Sequence, residues 1–227
     1  DTENTLMESV KKNKIELNRA VNKEYIVNTS FKTSKTAKIT VYKDFIEKIE
    51  KVGVETLTIN DKNFRVSYTL SELKDMIGTD EKASTDIDAS ALSGSSKKLA
   101  VNFDTNKTQT VKISFPNLKG DAKYMAIVDE KGEPVGGRYN PATDAVEAKI
   151  SASGVYSIVY NEKDFADIKS KSAEMQESIK ILTAKGIIKG TSEKEFSPDD
   201  TITRADIAAL LLRVLSKIDP NADGGFA

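Results

Sequence analysis

The chain has 227 residues, of which 38% are hydrophobic and 30% charged, and its formal net charge is −1. This balance is typical of a folded globular protein and gives no electrostatic reason to expect a nucleic-acid partner. Histidine, cysteine and tryptophan are absent, which excludes histidine-based catalysis, thiolate chemistry, zinc–thiolate sites and disulfides. No apolar stretch approaches the ~20 residues that cross a bilayer, so we expect no membrane span.

The first third of the chain predicts strands that alternate with short helices. Asp61-Lys62 separates two strand-forming runs and is a candidate for a tight hairpin turn. The last predicted helix of this part has Ser71 as its predicted cap and ends at Gly78. The predicted strands are Lys23–Phe31, Ala37–Tyr42, Val54–Asn60 and Asn63–Tyr68, and the predicted helices are Thr5–Lys14, Lys43–Gly53 and Thr69–Gly78.

The segment Thr79–Ser96 is polar and rich in small residues, which predicts a loop, with one strand around Ile87 as the alternative. Beyond it the pattern is almost entirely β, and turn residues separate the runs. Alternation within these runs favours antiparallel strands that have one solvated face. The predicted strands are Lys98–Asp104, Gln109–Pro116, Ala122–Glu130, Ala145–Ser151 and Gly154–Tyr160.

At Asn161 the pattern becomes helical, and we place a domain boundary there, between residues 1–160 and 161–227. The first predicted helix, Ser172–Gly186, has Met175, Ile179 and Leu182 on one face. The second has a wider apolar stripe, formed by Ile207, Leu210, Leu211, Val214 and Ile218. The fold class expected from these patterns is α+β.

The start of the second helix contains an arginine that helix formation does not require. Thr203 and Asp206 form a variant of the capping box, with Asp where Glu or Gln is more usual. Arg204, at the first helical position, adds nothing to this cap, and its charge is unfavourable there by ~0.3–1 kcal/mol. Either Arg204 pairs with a nearby carboxylate such as Asp200, or its guanidinium binds an anion that a partner presents. Arg213 points to the opposite side of the helix.

Residues Phe165–Ile218 resemble an S-layer homology repeat. The motif elements occur in the family's order and spacing: Phe165 and Asp167, Gly186-Ile187 and Gly190, Phe196 and Pro198, and the run Ile202–Asp206. Two positions depart from the family pattern. Glu174 stands where the family usually has tryptophan, which removes an aromatic surface for a sugar, and Asp206 replaces the usual glutamate.

Residues 1–160 resemble the β-rich module that precedes such repeats in secreted bacterial surface proteins. The similarity lies in the strand Thr110–Asn117, the hairpin pair Asp129–Ile150 and the closing strand Ser153–Tyr160. The resemblance implies a mainly antiparallel, sandwich-like β module with short helices, followed by a small repeat of two helices. It implies no cofactor, no metal and no enzymatic activity.

The resemblance also implies an anchoring function. Such repeats attach surface-layer proteins of Gram-positive cells to anionic, often pyruvylated, secondary cell-wall polysaccharide, and they usually occur in threes with grooves between neighbours. The glycan-binding residues implied here are Arg204 and, through their backbone, Gly190 and Thr191. Other surface-layer subunits are further expected partners, and the expected location is secreted, at the cell wall. A groove between repeats would be incomplete in a single repeat.

Two points remain open: the role of the last residues of the chain and the function of the β-rich module. The spacing of Asp219, Asn221 and Asp223 is that of the start of a calcium loop, but a polar turn is the other interpretation. Phe226-Ala227 could begin a second repeat. Paired carboxylates among Asp129, Glu130, Glu133 and Asp144 leave a polysaccharide-degrading enzyme as an alternative function. A surface adhesion module that binds a protein partner through an edge strand is a third.

Overall fold

The structure, a computed structural model, describes residues 23–29, 36–89, 97–103 and 109–214. The predicted helix Thr5–Lys14 and the acidic spacing at Asp219–Asp223 lie outside these residues. Among the described residues no helix is long and apolar enough to cross a membrane.

Twelve strands form two six-stranded sheets in the described part of the chain. In the first sheet the first two strands in spatial order pair in parallel, and all other neighbours are antiparallel. Its strands, in spatial order, are β1 (Glu24–Asn28), β3 (Thr56–Asn60), β4 (Arg65–Thr69), β7 (Val111–Pro116), β11 (Ala145–Ile150) and β10 (Arg138–Asn140).

The second sheet is antiparallel throughout. Its strands, in spatial order, are β2 (Thr36–Tyr42), β5 (Lys82–Asp88), β6 (Lys98–Phe103), β12 (Gly154–Tyr160), β8 (Met125–Val128) and β9 (Pro134–Gly136). One apolar core receives side chains from both sheets, for example Val66 and Ile113 from the first and Leu99 and Val101 from the second. The two sheets therefore form a β sandwich, which confirms the sandwich-like β fold expected from the sequence.

Strand β5 corrects the prediction of a loop over Thr79–Ser96. Ala83, Thr85 and Ile87 alternate towards the interior, and Thr85 and Ile87 are fully buried. The strand pairs along its length with β2 and also with β6. The small Ala83 and the polar Thr85 at inward positions conceal this period-two pattern, and the alternative of a strand around Ile87 is the one that the structure has.

Two short helices pack on the sandwich: α1 (Lys43–Lys51) buries Ile46 and Ile49, and α2 (Leu70–Ile77) buries Leu73 and Met76 among others. The predicted cap of α2 at Ser71 was wrong, because Thr69 caps the helix. Its Oγ1 accepts from the Glu72 backbone N–H at 3.1 Å, and the Glu72 carboxylate accepts from the Thr69 N–H at 2.8 Å. This reciprocal capping box satisfies two of the free amides at the helix start.

After β12 the described chain contains helices and loops only. A 3-10 turn (Ala166–Ile168) leads to α3 (Ala173–Ala184), which Ser172 caps, and α4 (Arg204–Val214) follows a long loop. Ile179 of α3 is buried in a small cluster with Phe165 and Ile168. In contrast, no residue of α4 is buried, and Leu211 and Val214 are each 57% exposed. The apolar stripe predicted for this helix therefore has no core to face among the described residues.

Helix α3 lies against the sandwich at the corner formed by β8 and β9. Tyr124 donates its hydroxyl to Glu177 at 2.5 Å, and the Asn161 side chain donates to the carbonyl of Ala184 at 2.8 Å. Lys185 follows the helix, and its ammonium group donates to the carbonyls of Ala122, at 3.0 Å, and Met125. These polar contacts fix the helical part of the chain on the β sandwich.

Candidate functional site

The motif residues of the helical part hold its long loop in place. The carboxylate of Asp167 accepts hydrogen bonds from the backbone N–H of Phe196, at 3.0 Å to each oxygen, and of Ser197, at 2.6 Å. These bonds keep the pKa of Asp167 below its usual value. Phe165 packs on Phe196, with 5.7 Å between ring centroids. The Phe165–Asp167 motif thus fastens the loop that leads to α4.

Gly190 and Thr191 lie in the same loop. A Cβ atom at Gly190 would lie 2.6 Å from the carbonyl oxygen of Glu195 and 2.6 Å from a ring carbon of Phe165, so only glycine fits. The Thr191 hydroxyl is 2.9 Å from that of Ser197 and donates to the Glu195 carbonyl at 3.3 Å. The Gly190 backbone is therefore enclosed by the loop itself, whereas Thr191 is exposed.

Thr203 and Asp206 start α4 with a reciprocal cap. Thr203 Oγ1 accepts from the Asp206 N–H at 3.1 Å, and the Asp206 carboxylate accepts from the Thr203 N–H at 3.1 Å and from its hydroxyl at 2.6 Å. These bonds to Thr203 lower the pKa of Asp206, and the positive charge of Arg213 adds a smaller effect. The cap is complete without any contribution from Arg204.

Arg204 is the first residue of α4 and is exposed. Within the described residues its guanidinium makes no hydrogen bond and no ion pair, so the alternative of a pair with Asp200 is not present there. No hydrogen bond joins Arg204 to Gly190 or Thr191 either, and the three predicted glycan-binding residues are not linked directly. Arg213 differs from Arg204, because it donates from Nη1 to the carbonyl of Ile187 at 3.3 Å.

Lys185 is a residue to which sequence reasoning assigned no role. It is 9% exposed, and burial lowers the pKa of its ammonium group to about 8. Gly186 follows it at φ +71°, and a Cβ there would lie 2.7 Å from Cβ of Pro134 in β9. A lysine after a helix is ordinarily a solvated residue that complements the helix dipole, so the sequence contains no signal for this burial.

The described residues contain no group of three or more carboxylates that could hold a metal ion. Three of the four acidic residues considered for catalysis accept hydrogen bonds within the fold, and Glu133 pairs with Lys189 at 3.5 Å. Asp129 accepts from the N–H groups of Lys131 and Glu133, both at 2.9 Å, and Glu130 accepts from the N–H of Val155 at 3.0 Å. Asp144 accepts from the hydroxyl of Tyr139 at 3.0 Å.

Comparisons with known proteins point to the helical part. The family model for the S-layer homology domain matches residues 164–208. The amylopullulanase of Thermoanaerobacterium thermosulfurigenes is 27% identical over 104 residues, which are 46% of this chain and 6% of that protein. The chain thus spans only a small part of this relative. No solved structure matches the chain significantly.

The matched region contains the contacts of Phe165 and Asp167 with the loop, Gly190 within that loop, and the capped start of α4. The residues that build this geometry are therefore those of the family motif. The chain therefore contains an S-layer homology domain at residues 164–208, a domain that attaches surface proteins to the cell wall.

Proposed function

We propose that this chain is part of a non-enzymatic, structural surface protein of a Gram-positive cell, and that its S-layer homology domain binds anionic secondary cell-wall polysaccharide, such as a pyruvylated polymer. Other surface-layer subunits are the second class of partner that we propose. The observation that carries the proposal is the guanidinium of Arg204 at the start of α4, which has no partner among the described residues.

The position of Arg204 is unfavourable for the helix and suitable for an anion. Its charge opposes the positive end of the helix dipole, and Thr203 and Asp206 already complete the cap. The guanidinium has five N–H donors in a plane, which match a carboxylate in a bidentate arrangement. An acidic sugar substituent would supply the acceptor oxygens that no described residue supplies.

Thr191 is the second residue that we assign to glycan binding, with a lesser role for the backbone of Gly190. The Thr191 hydroxyl is exposed, and its contacts to Ser197 and the Glu195 carbonyl hold it in one orientation. A fixed hydroxyl loses little entropy when it donates to or accepts from a sugar hydroxyl.

Two features support a non-catalytic role for the β sandwich. The sequence has no histidine or cysteine, and the carboxylates Asp129, Glu130 and Asp144 are engaged in turns and strand ends. General acid–base catalysis needs carboxylates that face a substrate rather than the backbone.

One alternative follows from a comparison. The similarity to an amylopullulanase favours a non-catalytic piece of a secreted polysaccharide-degrading enzyme as the second candidate. In that case the S-layer homology domain would keep its anchoring role, and catalysis would reside in another part of the whole protein. A surface adhesion role of the sandwich is compatible with both candidates.

Cosedimentation of the 227-residue chain with purified cell-wall sacculi tests the proposal. We expect the chain to bind intact sacculi and to lose binding when the secondary polymer is stripped by mild acid. Arg204→Gln should weaken binding by about ten- to a hundredfold, because a charge-assisted bidentate contact contributes ~1.5–3 kcal/mol, while the melting temperature stays within a degree of the wild type.

Lys169→Gln is the matched control, since Lys169 is an exposed lysine of the same domain. It removes the same charge and should leave sacculus binding unchanged. Binding that survives removal of the secondary polymer would contradict the polysaccharide as ligand. A melting temperature that falls by several degrees in Arg204→Gln would show that the arginine is structural.

A further inference from the structure

A wide groove runs between the β sandwich and the S-layer homology domain. Strands β9, β10 and β11 and the start of β12 form one wall, and the end of α3 with the last turn of α4 forms the other. Its volume of about 1130 Å³ exceeds the 300–1,000 Å³ usual for small-molecule pockets, so it suits an extended ligand. We call it the inter-module groove.

The inter-module groove is positively charged although the whole chain is not. Seven lysines and arginines and three carboxylates line it, whereas the net charge of the chain is −1. The carboxylates of Glu130 and Asp129 already accept backbone hydrogen bonds. Glu147 pairs with Lys112 at 3.2 Å. Glu147 is therefore paired with a cation, and the seven cations of the groove outnumber its three carboxylates.

Several of the groove cations are also engaged. Lys123 pairs with Glu177, and Lys149 pairs with Glu72 at 3.1 Å. Lys185 is buried on the carbonyls of Ala122 and Met125.

Three exposed cations of the groove remain without a carboxylate partner among the described residues: Lys131, Arg138 and Arg213. Lys131 and Arg138 come from the sandwich and Arg213 from α4, and all three are exposed. Arg138 lies directly opposite Glu147 in the β10–β11 register, but the carboxylate of Glu147 is taken by Lys112. Positive charge thus faces the groove from both walls.

The walls also offer apolar surface and an aromatic ring. Val135 is a half-buried residue of the lining, and Tyr139 of β10 is 39% exposed. The Tyr139 hydroxyl is held by Asp144 at 3.0 Å, so the ring has a fixed orientation. Exposed tyrosine faces accept the C–H surface of a sugar ring, and cations beside them accept carboxylate groups.

We infer that the inter-module groove binds a segment of a carboxylated polysaccharide, with Lys131, Arg138 and Arg213 as the anion-binding residues and Tyr139 as the stacking surface. This site is distinct from the one proposed at Arg204. Arg204 and Arg213 are nine residues apart on α4, and ~100° per residue places them on opposite sides of the helix. The groove would give the β sandwich a direct share in wall binding.

Affinity electrophoresis of the 227-residue chain in gels that contain polygalacturonate tests the inference. We expect retardation by polygalacturonate, weakening as salt rises, and none by neutral dextran. The triple variant Lys131→Gln, Arg138→Gln and Arg213→Gln should bind about tenfold more weakly, because it removes three exposed charge contacts that are each individually weak. Arg138→Lys with Arg213→Lys keeps the charge and should retain most of the binding. Tyr139→Ala should weaken binding without changing its salt dependence.

A second triple variant, Lys38→Gln, Lys51→Gln and Lys62→Gln, removes the same charge from exposed lysines outside the groove and is expected to bind like the wild type. Equal weakening in both triple variants, or equal retention in both, would overturn the inference. Equally tight binding of single-stranded oligo-dT would overturn it too, since charge alone would then explain the retardation. The readout uses no cell wall, so its failure leaves the Arg204 proposal standing, and a failed sacculus assay leaves this one standing.

Discussion

Asp167 shows how one motif side chain determines the path of a loop. Its carboxylate accepts three hydrogen bonds from two consecutive backbone amides, those of Phe196 and Ser197, thirty positions along the chain. Phe165, two residues earlier, packs on Phe196 from the other side. The pair therefore fixes both the backbone and the side chain at the point where the loop turns towards α4.

Asp167→Asn should destabilise the domain at neutral pH, because the amide keeps an acceptor oxygen but replaces the other by a donor that faces an N–H group. The folded-state pKa of Asp167 is lowered, so its contribution is complete above the ordinary aspartate pKa of ~3.9 and is lost as pH falls through the lower folded value. We expect the difference in melting temperature between wild type and variant to be largest near pH 7 and to shrink below pH 4.

Thermal unfolding followed by circular dichroism between pH 2.5 and 7 measures this difference. Asp199→Asn is the control, since Asp199 is exposed in the same loop and its carboxylate, among the described residues, bonds only the ammonium of Lys171. A difference for Asp167→Asn that does not change with pH would contradict a role for the ionised carboxylate.

Gly190→Ala tests how closely the loop encloses its glycine. The added methyl carbon would lie 2.6 Å from the Glu195 carbonyl oxygen and 2.7 Å from that of Ser192, and neither backbone atom can rotate away. We expect a loss of ~1–3 kcal/mol in the free energy of unfolding, measured in urea. Gly154→Ala is the matched control, because a Cβ there meets nothing closer than 3.8 Å. A loss no greater than that of the control would show that the loop adjusts freely.

At the scale of the element, α4 depends on its cap more than α3 does, because it buries no side chain. Thr203→Ala removes the acceptor for the Asp206 N–H, and N-cap losses cost ~0.5–2 kcal/mol. We expect faster amide hydrogen exchange through the first turns of α4, with unchanged exchange in α3. Thr201→Ala is the control, since Thr201 lies just before the cap and makes no side-chain hydrogen bond in the described residues. Equal exchange in the two variants would contradict the cap.

The elements that could be predicted are those whose pattern is local. Strands such as Gly154–Tyr160 and the cap formed by Thr203 and Asp206 follow from residue spacing alone. The capping-box spacing also predicts the correct cap of α2, because Glu72 stands three residues after Thr69, and the prediction of Ser71 missed this spacing. Strand β5 was obscured because two of its three inward residues, Ala83 and Thr85, are small or polar and because its burial depends on two neighbouring strands.

Of the two candidate sites, one depends on a local sequence pattern and the other on residues that are distant in the sequence. Arg204 is a candidate because a cation at the start of a helix contradicts the dipole and because the family resemblance implies a glycan-binding role, and that role stays a prediction. The inter-module groove could not be identified, because Lys131, Arg138 and Arg213 come together only when α3 docks on the sandwich. The burial of Lys185, which maintains that docking, depends on the carbonyls of Ala122 and Met125, some sixty positions away.

At the scale of the whole molecule, Lys185 joins the S-layer homology domain to the β sandwich. Its ammonium group satisfies the carbonyls of Ala122 and Met125 in a site that is largely closed to water. Lys185→Met fills the same space but removes the donor to the Met125 carbonyl, whereas the Ala122 carbonyl keeps the N–H of Met125. A buried unsatisfied group costs ~1–3 kcal/mol. We therefore expect a lower free energy of unfolding and increased protease sensitivity near Asn161, where the two parts join.

The dependence of this loss on pH distinguishes the buried amine from a simple packing role. Burial lowers the folded-state pKa of Lys185 to about 8, whereas its ordinary value is 10.5. Between these values the unfolded chain binds more protons than the folded one, so the wild type gains stability from this group as pH rises. The methionine variant has no such gain, and the difference in free energy of unfolding should widen from pH 8 to pH 10.

Urea titrations at pH 7, 8, 9 and 10 measure this difference, with Lys189→Met, a substitution of an exposed neighbour, as the control. A difference that stays constant or narrows over this range would mean that Lys185 is solvated, and that the two parts are not joined as the structure has them.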